Sequence, residues 1–85
     1  MKPMASAPLS DEDLAAALSA LRAGAVWETG NDEDSWRYSW SDGGYRVVYT
    51  NRGHAQTRDV SEADLANQMK ICATEIRYFL ADRKR

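Results

Sequence analysis

The fold is decided by residues 36–49, WRYSWSDGGYRVVY in one-letter code. Aromatic or aliphatic side chains alternate with polar ones on both sides of a central Ser-Asp-Gly-Gly segment, a period of two that is typical of strands. The central residues 41–44 are turn formers, so the two halves are predicted to close into an antiparallel hairpin. The predicted cross-strand pairs are Trp40–Tyr45, Tyr38–Val47 and Trp36–Tyr49, all on one sheet face.

Two further strands are predicted outside this hairpin, over residues 25–29 and 55–59. An acidic turn at 30–34 joins the first strand to the hairpin, and a turn at 51–53 leads out of it. The last strand has the weakest pattern, so we expect an antiparallel sheet of three or four strands.

Helices are predicted on both sides of the sheet region in the chain. Each begins with an N-cap serine and an aspartate three residues later, the pairs being Ser10 with Asp13 and Ser61 with Asp64. The first helix is predicted over 11–23 and a second, long helix over 62–82. The apolar stripe of the long helix consists of Leu65, Met69, Cys72, Ile76, Phe79 and Leu80.

Together these elements predict a two-layer α+β sandwich of order α-β-β-β-β-α, in which the helices cover the aromatic sheet face. A chain of 85 residues is long enough for one domain, which we assign to 9–85 after a flexible tail of residues 1–8. The single cysteine excludes an intramolecular disulfide and a four-cysteine zinc site. With neither an apolar leader nor a membrane-spanning stretch, we expect a cytoplasmic protein without a membrane partner.

The sequence contains only weak indications of a catalytic or metal-binding site. His54 sits beside a turn without a recognisable nucleophile, and Cys72 lies in the apolar stripe of the long helix. Residues 31–35 carry oxygen ligands but lack the glycine and the closing glutamate of an EF-hand loop. We therefore expect no catalytic residue, no metal and no cofactor, and the protein is predicted not to be an enzyme.

Charge is polarised along the chain, because residues 1–44 sum to −5 and residues 45–85 to +3. The acidic residues of the sheet loops are Asp32, Glu33, Asp34 and Asp42. An acidic surface of this kind can complement a basic partner and speed its association. These four residues are therefore candidates for binding another protein.

Aromatic and aliphatic side chains supply further candidates. Trp40 and Tyr45 lie at one end of the aromatic face and are expected to stay partly exposed as a binding hot spot. Ile71 and Tyr78 are seven residues apart and project away from the core stripe of the long helix. An aligned pair of this kind is compatible with a harmless surface or with a contact to a partner or to a second copy through the C-terminal helix.

An alternative is a nucleic-acid-binding accessory protein that uses the arginines of the sheet region. Arg37, Arg46 and Arg58 would contact phosphates, and the strand aromatics would stack on bases. Such binding would fall steeply with rising salt concentration.

The sequence favours a non-catalytic protein-binding module that occludes a partner surface. In its small size, polarised charge and surface aromatics the chain resembles the small inhibitors and adaptors of phages and mobile elements, including anti-CRISPR proteins. The resemblance lies in these coarse features and in no motif. It implies a host defence complex as the partner.

Overall fold

The computed structural model describes residues 8–83 of the chain. Its elements are α1 (Asp11–Arg22), β1 (Trp27–Gly30), β2 (Asp34–Ser41), β3 (Gly44–Asn51), β4 (His54–Val60), α2 (Glu62–Ile71) and α3 (Ala73–Arg83). The four strands form one antiparallel sheet in the order β1-β2-β3-β4, which confirms the α+β fold class.

The predicted tail and domain extend beyond the described residues, at positions 1–7 and at 84 and 85. Pro8, which we assigned to the tail, is already held by the domain. Its carbonyl oxygen accepts a hydrogen bond from the Arg77 guanidinium at 2.9 Å.

The central hairpin has the predicted register, with Trp40 opposite Tyr45 and Trp36 opposite Tyr49. Ser41 still pairs with Gly44, so the connecting loop has two residues rather than four. Asp42 and Gly43 have φ values of 53° and 80°. Positive φ at both central residues is the signature of a type I′ turn, whose twist matches that of the flanking strands.

Both helix starts are capped as predicted. The Ser10 Oγ accepts from the Asp13 backbone N–H at 3.1 Å, and the Ser61 Oγ accepts from Asp64 in the same way, also at 3.1 Å. These bonds satisfy backbone donors that the first helical turn leaves without a partner.

The single long C-terminal helix is a wrong prediction, because the helix breaks at Cys72. This residue has φ −99° and ψ 38°, which lies outside the helical region. A straight helix over 62–82 would be about 30 Å long and would extend past the sheet. The break lets α2 and α3 each contact α1. Periodicity alone missed it because the apolar stripe continues through Cys72.

The helices cover one face of the sheet. The buried strand residues, Trp27, Tyr38, Tyr45 and Val47, all lie on that face. They pack with a helical set composed of Ala17, Leu18, Leu21, Leu65, Met69, Ala73 and Ile76. Within residues 8–83 nothing covers the opposite face, and none of its side chains is buried. No helix in residues 8–83 has the length and apolar character needed to cross a lipid bilayer.

Candidate functional site

A groove opens between β1, which is one edge of the sheet, and α3. It has a volume of about 410 Å³. Its lining consists of Trp27, Glu28, Glu75, Tyr78, Phe79, Ala81 and Asp82. Three carboxylates therefore surround three aromatic side chains in one depression.

A second depression of about 380 Å³ adjoins the first and shares Glu28 and Glu75 with it. It extends to the turn after β1, where Asp32 lines it. We call the two depressions together the acidic groove, defined by Trp27, Glu28, Asp32, Glu75, Tyr78, Phe79 and Asp82.

The base of the acidic groove is held by the core of the protein. Trp27 is only 3% exposed and stacks on Tyr38, with ring centroids 5.0 Å apart and planes 18° from parallel. Tyr78 stands at the rim and is 72% exposed. A fixed apolar base beside an exposed aromatic ring is the usual composition of a protein-binding hot spot.

The charge of the acidic groove has a single sign. Among the described residues that line it there are four carboxylates and no lysine, arginine or histidine. Arg37 pairs with one of these carboxylates, with its Nε 3.8 Å from the Glu28 Oε2, and both side chains are more than half exposed. Solvent screens such a pair, so the groove keeps a negative potential that attracts cationic groups.

The predicted acidic loop divides among different roles. Asp32 lines the acidic groove. Glu33 lies with its Oε2 3.4 Å from the Nη2 of Arg52, which ties the loop to the β3–β4 turn. Only Asp32 of these two carboxylates is therefore directed to the groove.

Asp34 is held within the sheet rather than offered to a partner. Its Oδ1 accepts from the Tyr49 hydroxyl at 2.7 Å and from the side-chain amide of Asn51. These hydrogen bonds favour the carboxylate and lower the pKa of Asp34 below its ordinary value of 3.8.

Asp42 lies at the other end of the sheet from the predicted acidic loop. Strand β2 spans eight residues between Asp34 and Ser41, which is about 26 Å of extended chain. The Asp42 carboxylate lies 3.7 Å from the Arg46 guanidinium. Asp42 is therefore separate from the acidic groove.

The expected hot spot at Trp40 and Tyr45 needs correction. Tyr45 is 5% exposed, and its hydroxyl bonds to the carbonyl of Leu18 and to the Glu62 carboxylate. Trp40 is half-buried and packs edge-on against it, with ring centroids 4.8 Å apart. Helix α1 covers this end of the sheet, so Tyr45 belongs to the core and cannot present its ring to a partner.

Ile71 and Tyr78 are both exposed as predicted, at 73% and 72%. The break at Cys72 places them on different helices, Ile71 at the end of α2 and Tyr78 within α3. The predicted alignment of the two on one continuous helix is therefore wrong. Tyr78 lines the acidic groove, and Ile71 does not.

The three candidate arginines do not share one face. Arg37 and Arg46 lie on the uncovered face, where Arg46 sits 3.4 Å from Asp59. Arg58 pairs in register with Val47 and so lies on the helix-covered face, contrary to the grouping we expected. Successive side chains of β4 point to opposite faces of the sheet, and the register with β3 puts Arg58 on the face opposite to Arg37 and Arg46.

Neither His54 nor Cys72 lines the acidic groove. His54 is exposed at the start of β4. Burial raises the pKa of the Cys72 thiol, which disfavours the reactive thiolate. Within residues 8–83 no three side chains of metal-ligating type come together to hold an ion.

Sequence reasoning missed three of the four groove carboxylates, Glu28, Glu75 and Asp82. Glu75 and Asp82 lie three residues before and four after Tyr78, so they share its side of a helix. That spacing was available from the sequence. Glu28 carries no comparable signal, because only the packing of α3 beside β1 brings it to the groove.

Comparison with protein-family models, with curated proteins and with solved structures finds no match to this chain.

Proposed function

We propose that this protein is a non-catalytic protein-binding module that acts by occluding a surface of another protein. The observation that carries the proposal is the acidic groove, in which carboxylates surround a fixed aromatic base. Carboxylates at the rim steer a charged partner, and the aromatic side chains supply contact area once it arrives.

The partner in this proposal presents a basic surface. Lysine or arginine side chains would enter the groove among Glu28, Glu75 and Asp82, with their charged groups over the ring of Tyr78. Proteins that handle nucleic acids expose such surfaces, because they neutralise phosphates with lysine and arginine. A host complex of this type, blocked by a small anti-CRISPR-like inhibitor of phage or mobile-element origin, fits this chemistry and a cytoplasmic location.

Nucleic acid is the second candidate partner, through Arg37, Arg46 and Arg58. The division of these arginines between two sheet faces favours the protein partner. Arg37 and Arg46 also have carboxylates within 4.0 Å, which compete with phosphates.

The proposal is tested by capture from host lysate with and without nuclease, read by mass spectrometry. The key variant combines Glu75→Gln with Asp82→Asn in the acidic groove. Its control combines Glu12→Gln with Asp42→Asn, which removes the same charge outside the groove. We expect a nuclease-resistant protein whose capture falls about tenfold with the groove variant and is unchanged with the control.

Two results would contradict the proposal. Capture that disappears after nuclease treatment would indicate nucleic acid as the ligand. Equal loss with both variants would mean that overall charge, and not the groove, governs the interaction.

A further inference from the structure

Strand β4 is an open edge of the sheet. It has seven residues, His54–Val60, of which all are exposed except the half-buried Val60. Its pairing with β3 is continuous over the whole strand, without a bulge. Natural edge strands are usually protected by proline, charged side chains, a bulge or a covering helix. Strand β4 contains no proline, its charged residues are Arg58 and Asp59, and no other strand within residues 8–83 pairs with its outer side.

The backbone groups that face outward follow from the turn before β4. Arg52 and Gly53 form a two-residue turn with positive φ, and Asn51 pairs with His54 across it. The pair that closes such a turn exchanges both hydrogen bonds, and bonded pairs then alternate along the ladder. The outward N–H and C=O groups therefore belong to Ala55, Thr57 and Asp59.

We propose that β4 pairs antiparallel with β4 of a second copy of this chain, about a two-fold axis at Thr57. A symmetric pairing with full overlap needs an axis at the middle of the strand, and the residue on the axis must have outward backbone groups. Thr57 meets both requirements. All seven residues overlap in this register. The pairs across the interface are Thr57–Thr57, Gln56–Arg58, Ala55–Asp59 and His54–Val60, with about six hydrogen bonds between the copies.

The side chains select this register over its neighbours. No two like charges stand directly opposite each other, because Arg58 meets Gln56 and Asp59 meets Ala55. The next possible register in one direction is a shift of one strand by two residues. It places Arg58 opposite Arg58, which is unfavourable. Sliding them the other way moves Asp59 and Val60 past the start of the partner strand. The Arg46–Asp59 ion pair, at 3.4 Å within each copy, is compatible with the proposed register.

The symmetry axis provides a specific test, because a residue on the axis meets its own copy. Thr57→Glu places two carboxylates opposite each other, and Thr57→Lys places two ammonium groups there. Mixing the two variants pairs glutamate with lysine instead. Residue 57 is exposed on the uncovered face, and circular dichroism of each variant checks that the fold is intact.

Sedimentation velocity over a range of concentrations measures the outcome. We expect wild-type dimers, about tenfold weaker association in each variant alone, and recovery in the equimolar mixture. A monomer at every concentration would overturn the proposal, as would dimers unaffected by either change at Thr57. Dissociation by Ile71→Asp alone would assign the dimer to α2 instead. The groove lies at the opposite edge, so this result is independent of the capture experiment.

Discussion

The two edges of the sheet are different kinds of surface. Strand β1 has four residues, and α3 packs beside it to form a groove of carboxylates and aromatic rings. Strand β4 has seven residues, and within residues 8–83 no other strand pairs with its outer side. The first edge offers side chains to a partner, whereas the second offers backbone hydrogen-bonding groups.

The position of the helices explains this difference. Residues of α3 and β1 line the acidic groove together, so the proposed binding at this edge depends on side-chain chemistry. Beside β4 the approach of another strand is open, and its backbone pattern sets the register. The proposed groove site and the proposed β4 pairing therefore lie at opposite edges of the sheet and would not compete.

The largest expected effect is a difference in stability loss between glycine substitutions in the turns next to the two edge strands. A Cβ at Gly30, the last residue of β1, would lie 2.7 Å from the backbone Cα of Ser35, and φ there is +123°. Gly53, before β4, has φ +85° but no atom within 4 Å of that position. We expect Gly30→Ala to lower the free energy of unfolding by about 2–3 kcal/mol and Gly53→Ala by about 1 kcal/mol.

Urea denaturation of both variants measures the difference. Equal destabilisation would mean that the turn after β1 is as open as the turn before β4. The turn that contains Gly30 would then not form a tightly packed wall of the acidic groove.

An intermediate effect is expected at Tyr45, on a central strand between the two edges. Tyr45→Phe removes a hydroxyl that bonds to Leu18 and Glu62 and accepts from Arg22. We expect a loss of about 1 kcal/mol in the free energy of unfolding, and no loss of partner capture. Thermal unfolding and the lysate experiment measure the two quantities. Weaker capture at unchanged stability would restore Tyr45 as a binding residue.

Much of the sheet and both helix starts could be predicted from local sequence, because period-two alternation and serine caps act over a few residues. The hairpin register followed from the position of Gly43 between aromatic strands. The break at Cys72 could not be predicted, since neither glycine nor proline stands there and the apolar stripe continues through it. The groove could be predicted only in part. Asp32 and Tyr78 were candidates, but Glu28 joins them only because the fold brings α3 near β1.

The smallest expected effect concerns Asp34, which links the two central strands at one end of the sheet. Hydrogen bonds from Tyr49 and Asn51 lower its pKa in the folded protein below the ordinary value of 3.8. Its contribution to stability is therefore present above that pH and is lost as the pH falls through the lowered folded pKa.

We expect Asp34→Asn to flatten the loss of stability on acidification below about pH 4. Thermal melts of the variant and the wild type over that range measure it. Parallel melting curves would show that other carboxylates dominate the acid sensitivity of this end of the sheet.

The central claim, that the acidic groove is the binding site, is tested most directly by an NMR titration. The probe is a short peptide of alternating arginine and glycine, with a glutamate–glycine peptide as control. The account predicts that the arginine peptide shifts backbone amides of Glu28, Glu75 and Tyr78, that the Glu75→Gln/Asp82→Asn variant loses these shifts, and that the control peptide causes none. Shifts centred on Asp42 or on β4, or shifts that survive in the groove variant, would contradict it.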